Sequence, residues 1–391
     1  SMQLRAHSLG AAAALLSVTV TTPSADWHPT LRPAAALDGP VHALHLHDGG
    51  GGATELFAGG SFHVAGDVAA SAVARWEGAG WSALAGGIDG EVYAMETFDD
   101  GSGPALYVGG DFLDAGGSLV HRIARWDGAA WSPLGEGIQR IGYAHGTYVA
   151  DLIAFDDGSG PSLFAAGWFN VAGGRRAYNV ARWDGAAWHP VGNGTSNGVL
   201  ALEVFDDGTG PALYAGGFFL EAGGQHTWGI ARWDGASWSP VGDEIVGSVS
   251  TLCVHDDGSG PKLYAGGTFS SAPWAPANFE RLARFDGASW EPVGGPVTGP
   301  YGTKVNSLCV FDDGSGPALF VGGLFWDVDG LPANHVARWD GLTWSDLGPG
   351  VDGRVDAMAV APSPSGGRAL FVGGDFSTSP AGDAFFARWE R

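Results

Sequence analysis

The segment that decides the fold runs Val92-Tyr-Ala-Met-Glu-Thr-Phe-Asp-Asp-Gly-Ser-Gly-Pro104 and continues as Ala105-Leu-Tyr-Val-Gly-Gly-Asp-Phe112. Two apolar runs flank a turn of Asp, Gly, Ser and Pro, which is the composition of a β-hairpin. The closing Gly-Gly-x-Phe element occurs in seven copies spaced 50 to 57 residues apart, with Ala in place of the first Gly in the third copy. The copies begin at Gly59, Gly109, Ala166, Gly216, Gly266, Gly322 and Gly373. A period of this length indicates one array of similar units.

Each unit contains four short runs of β-type residues, which we label strands A to D. Strand A is the Val-x-Ala-Leu run, strand B ends in Gly-Gly, strand C carries Ala-Arg-Trp and strand D opens with Trp. Four short strands per unit predict an all-β fold, a seven-bladed β-propeller with four-stranded blades. We interpret the repeated Arg of strand C as a structural partner for a turn of the neighbouring blade. These arginines are Arg75, Arg125, Arg182, Arg232, Arg284, Arg338 and Arg388.

The two ends of the chain complement each other. The seventh unit stops after its strand C, at residues 386–391, and has no strand D. Trp27-His-Pro-Thr-Leu31 matches the strand D sequence Trp131-Ser-Pro-Leu134, so we predict that the N-terminal strand completes the last blade and closes the ring. Residues 24–391 then form a single propeller domain.

The paired Gly of strand B and the later Trp resemble the kelch type of blade, as found in secreted bacterial repeat proteins. The resemblance covers residues 24–391, and it implies architecture only. The kelch-like class includes copper-radical oxidases, but no residue here is carried over from their ligand set. We therefore expect no cofactor.

Residues 1–23 are predicted to be a cloning scar followed by a signal-peptide-like leader. A short basic start precedes an apolar run of about a dozen residues that ends at Val20, and small residues follow at the cleavage region. The run is too short for a membrane span, which needs about 20 apolar residues, so we expect no membrane insertion. The alternative is an extra strand or helix packed on the domain. The leader indicates a secreted or cell-surface protein.

Composition excludes several partners. The formal net charge of −23 would repel nucleic-acid backbones and anionic membranes, so no nucleic acid is expected to bind. The 45% of hydrophobic residues exclude a disordered chain. Cys253 and Cys309 occupy equivalent positions of strand A in two units, too far apart for a disulfide, so we expect two buried thiols.

Tryptophan positions point to a binding surface. Of the 17 Trp residues, six fall in strand C and seven open strand D, which leaves four outside the repeat positions. These four lie at the end of strand B or in the B–C connection of four consecutive units, where Tyr178, Phe218 and Phe279 also occur. They are Trp168, Trp228, Trp274 and Trp326. The variable B–C and D–A connections share one edge of the disc, which we call the rim, and indoles there predict carbohydrate or protein binding. The alternative is a small apolar core beneath long loops.

Polar candidates lie close to this rim. His42, Tyr93, Asn306 and Asp356 hold the second position of strand A, near the predicted mouth of the central channel. Further candidates in the connections are Asp111, Asp375, Arg140, Tyr143, His145, Tyr148, Tyr301, Lys304, His63, His121, Arg175, Arg176, His226 and His335. A His beside an acid could act as a general base or metal ligand. Because no H-E-x-x-H, G-x-S-x-G, P-loop or C-x-x-C spacing occurs, we favour solvated hydrogen-bonding side chains and expect no metal site.

The A–B turn Asp-Asp-Gly-Ser/Thr-Gly-Pro occurs five times, starting at Asp99, Asp156, Asp206, Asp256 and Asp312. Acidic Gly-rich loops can bind Ca²⁺, but two carboxylates per loop lack the spaced ligands of an EF-hand. We therefore interpret these turns as capped by their own Asp side chains.

These observations leave three functional hypotheses. The first is a monomeric, secreted or cell-surface binding module that recognises a carbohydrate or protein through the rim. The second is a hydrolase or lyase with His, Tyr and Asp at the channel mouth, so whether the chain is an enzyme stays open, with a non-catalytic role favoured. The third is a passive repeat domain of a surface assembly.

Overall fold

The structure is a computed structural model that describes residues 25–29, 36–52, 54–78, 80–142, 146–242, 245–275 and 277–390. The predicted leader at residues 1–23 and the candidates Tyr143 and His145 lie outside these ranges. Among the described residues every regular element is a β-strand, and none is a helix of the length and apolarity needed to cross a bilayer. The predicted all-β fold is confirmed.

Seven antiparallel sheets, counted over the described ranges, each contain strands A to D in the order A-B-C-D. Strands A are Val41–Asp48, Glu91–Asp99, Tyr148–Asp156, Val199–Asp206, Val249–Asp256, Lys304–Asp312 and Arg354–Pro362. Strands B are Thr54–Gly60, Pro104–Asp111, Pro161–Trp168, Pro211–Gly217, Pro261–Ser271, Pro317–Leu324 and Arg368–Asp375. Strands C are Val73–Trp76, Ile123–Trp126, Val180–Trp183, Ile230–Trp233, Glu280–Phe285, Val336–Trp339 and Phe386–Glu390. Strands D are Trp81–Ala83, Trp131–Pro133, Trp188–Pro190, Trp238–Pro240, Trp290–Pro292, Trp344–Asp346 and, from the N-terminus, Asp26–His28.

The four-stranded repeat is consistent with a propeller. The N-terminal strand pairs with the last strand C in the register Asp26↔Glu390, Trp27↔Trp389 and His28↔Arg388. The last sheet therefore takes its strand D from the other end of the chain, and the edge of strand Phe386–Glu390 does not stay open.

Short hairpins occupy the B–C connections, and segments of the D–A connections pair with them. The hairpins are Val64–Ala65 with Val68–Ala69, Asp114–Ala115 with Ser118–Leu119, Val171–Ala172 with Arg175–Arg176, Glu221–Ala222 with Gln225–His226, and Asp327–Val328 with Leu331–Pro332. The D–A strands are Ile138–Gln139, Ile245–Val246 and Val297–Thr298. Because these pairs join the two kinds of variable connection, both lie on one edge of the sheets.

The two glycines at the end of strand B have separate roles. A Cβ on Gly59 would approach Val92 Cγ1 of the next sheet to 2.4 Å, so the first Gly lets adjacent sheets pack closely. A Cβ on Gly60 would lie 2.0 Å from the carbonyl oxygen of Pro40 in its own sheet. The same first-Gly contact joins the last sheet to the first, where Gly373 lies against Val41.

Large apolar side chains fill the spaces between sheets. Tyr107 of the second sheet and Trp188 of the third are nearly fully buried in one cluster. Phe371 and Phe386 of the last sheet share a cluster with Trp76 of the first, and the Phe386 ring centroid lies 5.9 Å from that of Trp76. Each sheet therefore contributes both faces to the core, which is why strands B are apolar without alternation.

The prediction that the repeated Arg contacts a turn of the neighbouring sheet is wrong. Arg232 Nε lies 3.3 Å from Asp207 Oδ2 and Arg125 Nε lies 3.4 Å from Asp100 Oδ2, and both acids belong to the A–B turn of the same sheet. The neighbouring sheet is reached by the next residue instead, since Trp233 Nε1 donates to Asp157 Oδ2 at 2.9 Å. Strand C alternates, so Arg and Trp point to opposite faces and only one of them can face the neighbour.

Candidate functional site

A β-bulge recurs in strand A of all seven sheets described. In each case the register with strand B shifts around the second residue of the Val-x-Ala-Leu run. The carbonyl before that Val approaches the second Gly of strand B, as Pro40 does at Gly60, so only Gly leaves room for this backbone path. The seven bulge residues are His42, Tyr93, Ala150, Leu200, Ser250, Asn306 and Asp356.

All seven bulge residues line one cavity of about 760 Å³ at the rim end of strands A. The predicted candidates His42, Tyr93 and Asp356 are therefore brought together here. Asn306 of the sixth sheet lines the same cavity. The first residues of four strands A also line the cavity: Glu91, Tyr148, Lys304 and Arg354. A cavity of this size is typical of small-molecule sites.

Asp356 organises the polar wall of the cavity. Arg354 donates to both of its carboxylate oxygens, at 2.7 and 2.9 Å, and Asn306 Nδ2 donates at 3.0 Å. His42 Nδ1 lies 3.4 Å from Asp356 Oδ2. Burial alone would raise the pKa of this carboxyl, but the hydrogen bonds from His42 and Arg354 hold it below its ordinary value. Asp356 is therefore an ionised acceptor whose lone pairs are already used by the protein.

An aromatic series leads from the cavity to the outer rim. The ring centroids of His42 and Tyr93 lie 5.6 Å apart, those of Tyr93 and Tyr148 lie 5.8 Å apart, and those of Tyr148 and Trp168 lie 6.5 Å apart. The Arg140 guanidinium carbon lies 4.7 Å from the centroid of the Trp168 ring. These contacts hold the rings in place between the cavity and the outer rim.

Three acids lie deeper along strands A than the bulge. Burial raises the pKa of Glu96, Asp151 and Glu203 to about 7 in each case, although each carboxylate accepts backbone N–H bonds. Burial also lowers the pKa of His45 to about 4. The described His, Cys, Asp and Glu side chains form no group of three or more placed to hold a metal ion.

Cys253 and Cys309 share the register level of Glu203 on the next two strands A. Both are free thiols, and burial raises the pKa of Cys309 to about 12 and that of Cys253 well above its ordinary value. They therefore stay protonated and unreactive at neutral pH.

The rim carries most of the exposed apolar surface. Twelve large hydrophobic side chains are exposed among the described residues, and ten of them lie in B–C or D–A connections. The ten are Val64, Leu113, Leu119, Ile141, Tyr178, Phe218, Leu220, Trp274, Tyr301 and Trp326. The other two are Val310 on a strand A and Leu342 in a C–D turn at the opposite edge.

The predicted rim residues form one cluster and several separate positions. His226, Trp228 and Trp274 are joined by ring contacts, with centroid distances of 4.4 Å between the first two and 6.0 Å between the two indoles. Trp228 has a φ of 52°, a left-handed conformation that a bulky residue rarely adopts. Trp274 is 57% exposed, so the cluster has an open face.

Other predicted residues stand apart from this cluster. Ring contacts between described residues do not connect Tyr178, Phe218 or Trp326 to it, although all three are exposed. His335 is 7% exposed, and its Nδ1 accepts the backbone N–H of Phe325 at 3.3 Å, so it fixes its own loop. Phe279 is buried against Phe269, as the alternative of a small core beneath the loops predicts.

The opposite edge consists of the capped acidic turns. In the turn that begins at Asp206, Oδ1 accepts the N–H groups of Gly208 and Gly210, both at 2.9 Å. Asp207 accepts from Thr209 and from the Tyr214 hydroxyl, at 3.0 Å for the latter. These bonds confirm the prediction that the turns are capped by their own Asp side chains.

Sequence reasoning missed part of the site. Arg354, Glu91 and the deeper acids Glu96, Asp151 and Glu203 were not singled out, and neither were the exposed aliphatic residues of the rim. Glu91 and Arg354 could have been found from the sequence, because each directly precedes the repeated Val of strand A and so begins a strand at the cavity. The deeper acids are visible as charged residues inside otherwise apolar strands.

Known proteins resemble this chain in fold but not in sequence. No family model matches the chain, and no curated protein matches it. Two structures of the extracellular domain of BT4673 from B. thetaiotaomicron are similar, with TM-scores of 0.49 and 0.50 and identities of 11% and 9%. Each match covers 94% of this chain and 40% of the other, so this chain spans about two-fifths of that domain. BBS1N, solved in complex with ARL6DN, has a TM-score of 0.48 at 10% identity, with coverage of 92% and 95%. At these identities, the match at 0.50 shows a shared fold and nothing further.

Proposed function

We propose that residues 24–391 form a kelch-like seven-bladed β-propeller that acts as a secreted or cell-surface binding module. The pairing of Asp26–His28 with Phe386–Glu390 and the contact of Gly373 with Val41 support closure of the ring. The BT4673 domain of similar fold is extracellular by name, and we extend that location to this chain as part of the proposal.

The observation that carries the function is the one-sided distribution of exposed apolar side chains. Of the twelve such side chains in the described part of the chain, ten lie on the rim and one, Leu342, lies at the opposite edge. A concentration of exposed apolar side chains at one edge favours an interaction surface at that edge. Because the rim includes aliphatic residues such as Leu119 and Leu220 beside its aromatic ones, it is better suited to a protein partner than to a sugar alone. A protein partner is therefore the first candidate.

A carbohydrate is the second candidate ligand, supported by one local feature. The Trp228 and Trp274 rings are inclined at 57° to each other, beside the exposed His226. Inclined indoles offer apolar faces to a sugar ring while an imidazole can hydrogen-bond its hydroxyls. This arrangement is confined to the fourth and fifth sheets.

The test compares rim variants with a matched variant of the opposite edge. Immobilised wild type, Trp274→Ala with Leu220→Ala, and Leu342→Ala are probed with a glycan array and with protein extracts. The proposal is supported if wild type and Leu342→Ala both bind a glycan or protein that the rim variant does not bind. The purified ligand must then bind directly to wild type. Equal retention by the rim variant and Leu342→Ala contradicts the proposal.

A hydrolase is the other candidate function, favoured by one set of contacts around His42, which lines the cavity. Ser61 Oγ lies 3.4 Å from His42 Nε2, and His42 Nδ1 lies 3.4 Å from Asp356. A hydroxyl, an imidazole and a carboxylate in this order form the nucleophile, base and orienting acid of acyl transfer. Covalent labelling of Ser61 by a fluorophosphonate probe, lost in His42→Ala, would support it. Substrate turnover detected by mass spectrometry would contradict a purely binding role.

A further inference from the structure

The sequence has two lysines, and they stand in different situations. Lys262, the second residue of strand Pro261–Ser271 next to an acidic turn, is neutralised by Glu291, with Nζ and Oε2 3.3 Å apart. Lys304 begins a strand A and lines the channel-mouth cavity. Its backbone pairs with that of Leu324, but its ammonium group makes no hydrogen bond or ion pair with any other residue that the structure describes. One of the two ammonium groups is thus paired and the other is not.

An ammonium group that is partly removed from water without a partner is unfavourable. Burial lowers the pKa of Lys304, the charge of Asp356 opposes that shift, and Arg354 adds to it. Asp356 cannot satisfy Lys304 directly, because its carboxylate already receives donors from Arg354 and Asn306. A ligand that brought its own negative charge would supply the missing partner and gain a charge-assisted hydrogen bond.

The walls around Lys304 narrow the chemistry of that ligand. Tyr93 and Tyr148 line the same cavity and present aromatic rings. Ser250 lines it as well, and its hydroxyl is able to exchange hydrogen bonds with the hydroxyl groups of a ligand. A compact molecule with one carboxylate, several hydroxyls and an apolar ring face fits this combination, and the volume of about 760 Å³ is ample for it.

We propose that the channel-mouth cavity binds a carboxylate-bearing sugar, a uronic acid, with its carboxylate on Lys304 and its ring against the tyrosines. This site is separate from the apolar rim, so it goes beyond the partner binding proposed above. Failure of one leaves the other intact, because the rim test uses Trp274 and Leu220 and the cavity test uses Lys304.

The net charge of −23 does not exclude an anion here. The acidic turns lie at the opposite edge, and exposed charges are screened beyond about 8 Å at physiological ionic strength. Within the cavity, Arg354 neutralises Asp356. The other acids that line the cavity also have protein partners: Glu91 accepts a hydrogen bond from the Tyr93 hydroxyl, and Asp151 accepts the backbone N–H groups of Leu152 and Leu202.

The experiment measures binding of D-galacturonate and D-glucuronate by isothermal titration calorimetry, with galactose, glucose and glycine as comparison ligands. The variants are Lys304→Gln, Lys304→Arg and the matched control Lys262→Gln, which removes the same charge elsewhere. We expect at least one uronate to bind wild type and Lys262→Gln alike, and Lys304→Gln to weaken it by about tenfold or more. Lys304→Arg should retain most of the affinity, and neutral sugars should bind no better to wild type than to Lys304→Gln.

Three results would overturn the proposal. The first is the absence of binding by either uronate at millimolar concentration to a wild type that melts cooperatively. The second is equal loss in Lys304→Gln and Lys262→Gln, which would show a general charge effect. The third is tighter binding of glycine than of both uronates, which would assign the cavity to amino acids.

Discussion

The indole N–H of Trp27 donates a hydrogen bond to the carbonyl of Leu347, 2.5 Å away, although 320 positions separate the two residues. The Trp that opens strand D makes the same bond to the preceding sheet elsewhere. Those pairs are Trp188 with Leu134, Trp238 with Val191 and Trp290 with Val241. The N-terminal strand therefore reproduces both the backbone pairing and the side-chain contact of a strand D.

Replacing Trp27 should destabilise the protein as a core substitution does. Trp27 is 6% exposed, and Trp27→Ala removes a buried indole and its hydrogen bond, which should lower the free energy of unfolding by about 3–5 kcal/mol. His28→Ala, on the same strand and partly exposed, is the control, with an expected change of about 0.5 kcal/mol. Urea unfolding measures both changes. If Trp27→Ala destabilised the protein as little as His28→Ala, the N-terminal strand would be dispensable.

Removal of residues 24–35 is a second test of the same strand. It should expose the edge of the last strand C and cause aggregation that light scattering detects.

The acidic turns should contribute through their own backbone hydrogen bonds. Asp206→Ala leaves the N–H groups of Gly208 and Gly210 without their acceptor, so the free energy of unfolding should fall by about 1 kcal/mol. Glu221→Ala, an exposed acid of the rim, serves as the control for loss of one negative charge. The measurement is the denaturant midpoint of unfolding for both variants. Indistinguishable midpoints for Asp206→Ala and Glu221→Ala would contradict the capping role.

Calcium should have no specific effect on stability. Each turn carboxylate is engaged by its own loop, so divalent ions are expected to act only by screening the −23 charge. Millimolar calcium chloride and sodium chloride of equal ionic strength should give melting temperatures within about one degree of each other. A larger rise with calcium that disappears in Asp206→Asn would show a real calcium site, because a bound ligand stabilises by mass action.

Stability should depend on pH through Glu96. Burial raises the pKa of Glu96 from 4.5 to about 7, so the folded protein keeps a proton there that the unfolded chain has lost. The contribution of Glu96 to the free energy of unfolding is therefore lost as pH rises from about 4.5 to about 7. Glu96→Gln keeps an oxygen for the Thr97 N–H and cannot ionise.

The measured quantity is the difference in unfolding free energy between Glu96→Gln and wild type across this pH range. It should be near zero at pH 4.5 and should favour the variant by roughly 2–3 kcal/mol at pH 8. Subtraction removes the contribution of His45, whose pKa of about 4 makes stability rise with pH between about 4 and 6.5. Leu342→Ala, which lacks a titratable group, should give a flat difference, and a flat difference for Glu96→Gln would contradict the prediction.

Much of the architecture followed from local chemistry. Gly-Gly-x-Phe, the Asp-Gly turns and the Trp at the start of strand D repeat because each sheet meets the same backbone and packing demands, so the pattern is visible in one dimension. The partner of the repeated Arg was predicted incorrectly, because the sequence does not show which face of strand C is turned towards the neighbouring sheet. Arg232 points to its own turn, and Trp233 reaches the adjacent one.

The sequence by itself determined the repeat, the all-β strands, the capped turns and the edge that carries variable loops. Only the tertiary structure decided which side chains meet at the cavity. His42, Tyr93 and Asp356 come together because a bulge in every strand A turns one residue out of the regular alternation, and the strands lie side by side although far apart in the chain. The tertiary structure likewise buried His335 and exposed Trp274, since burial depends on the packing of neighbouring loops and residue type alone does not fix it.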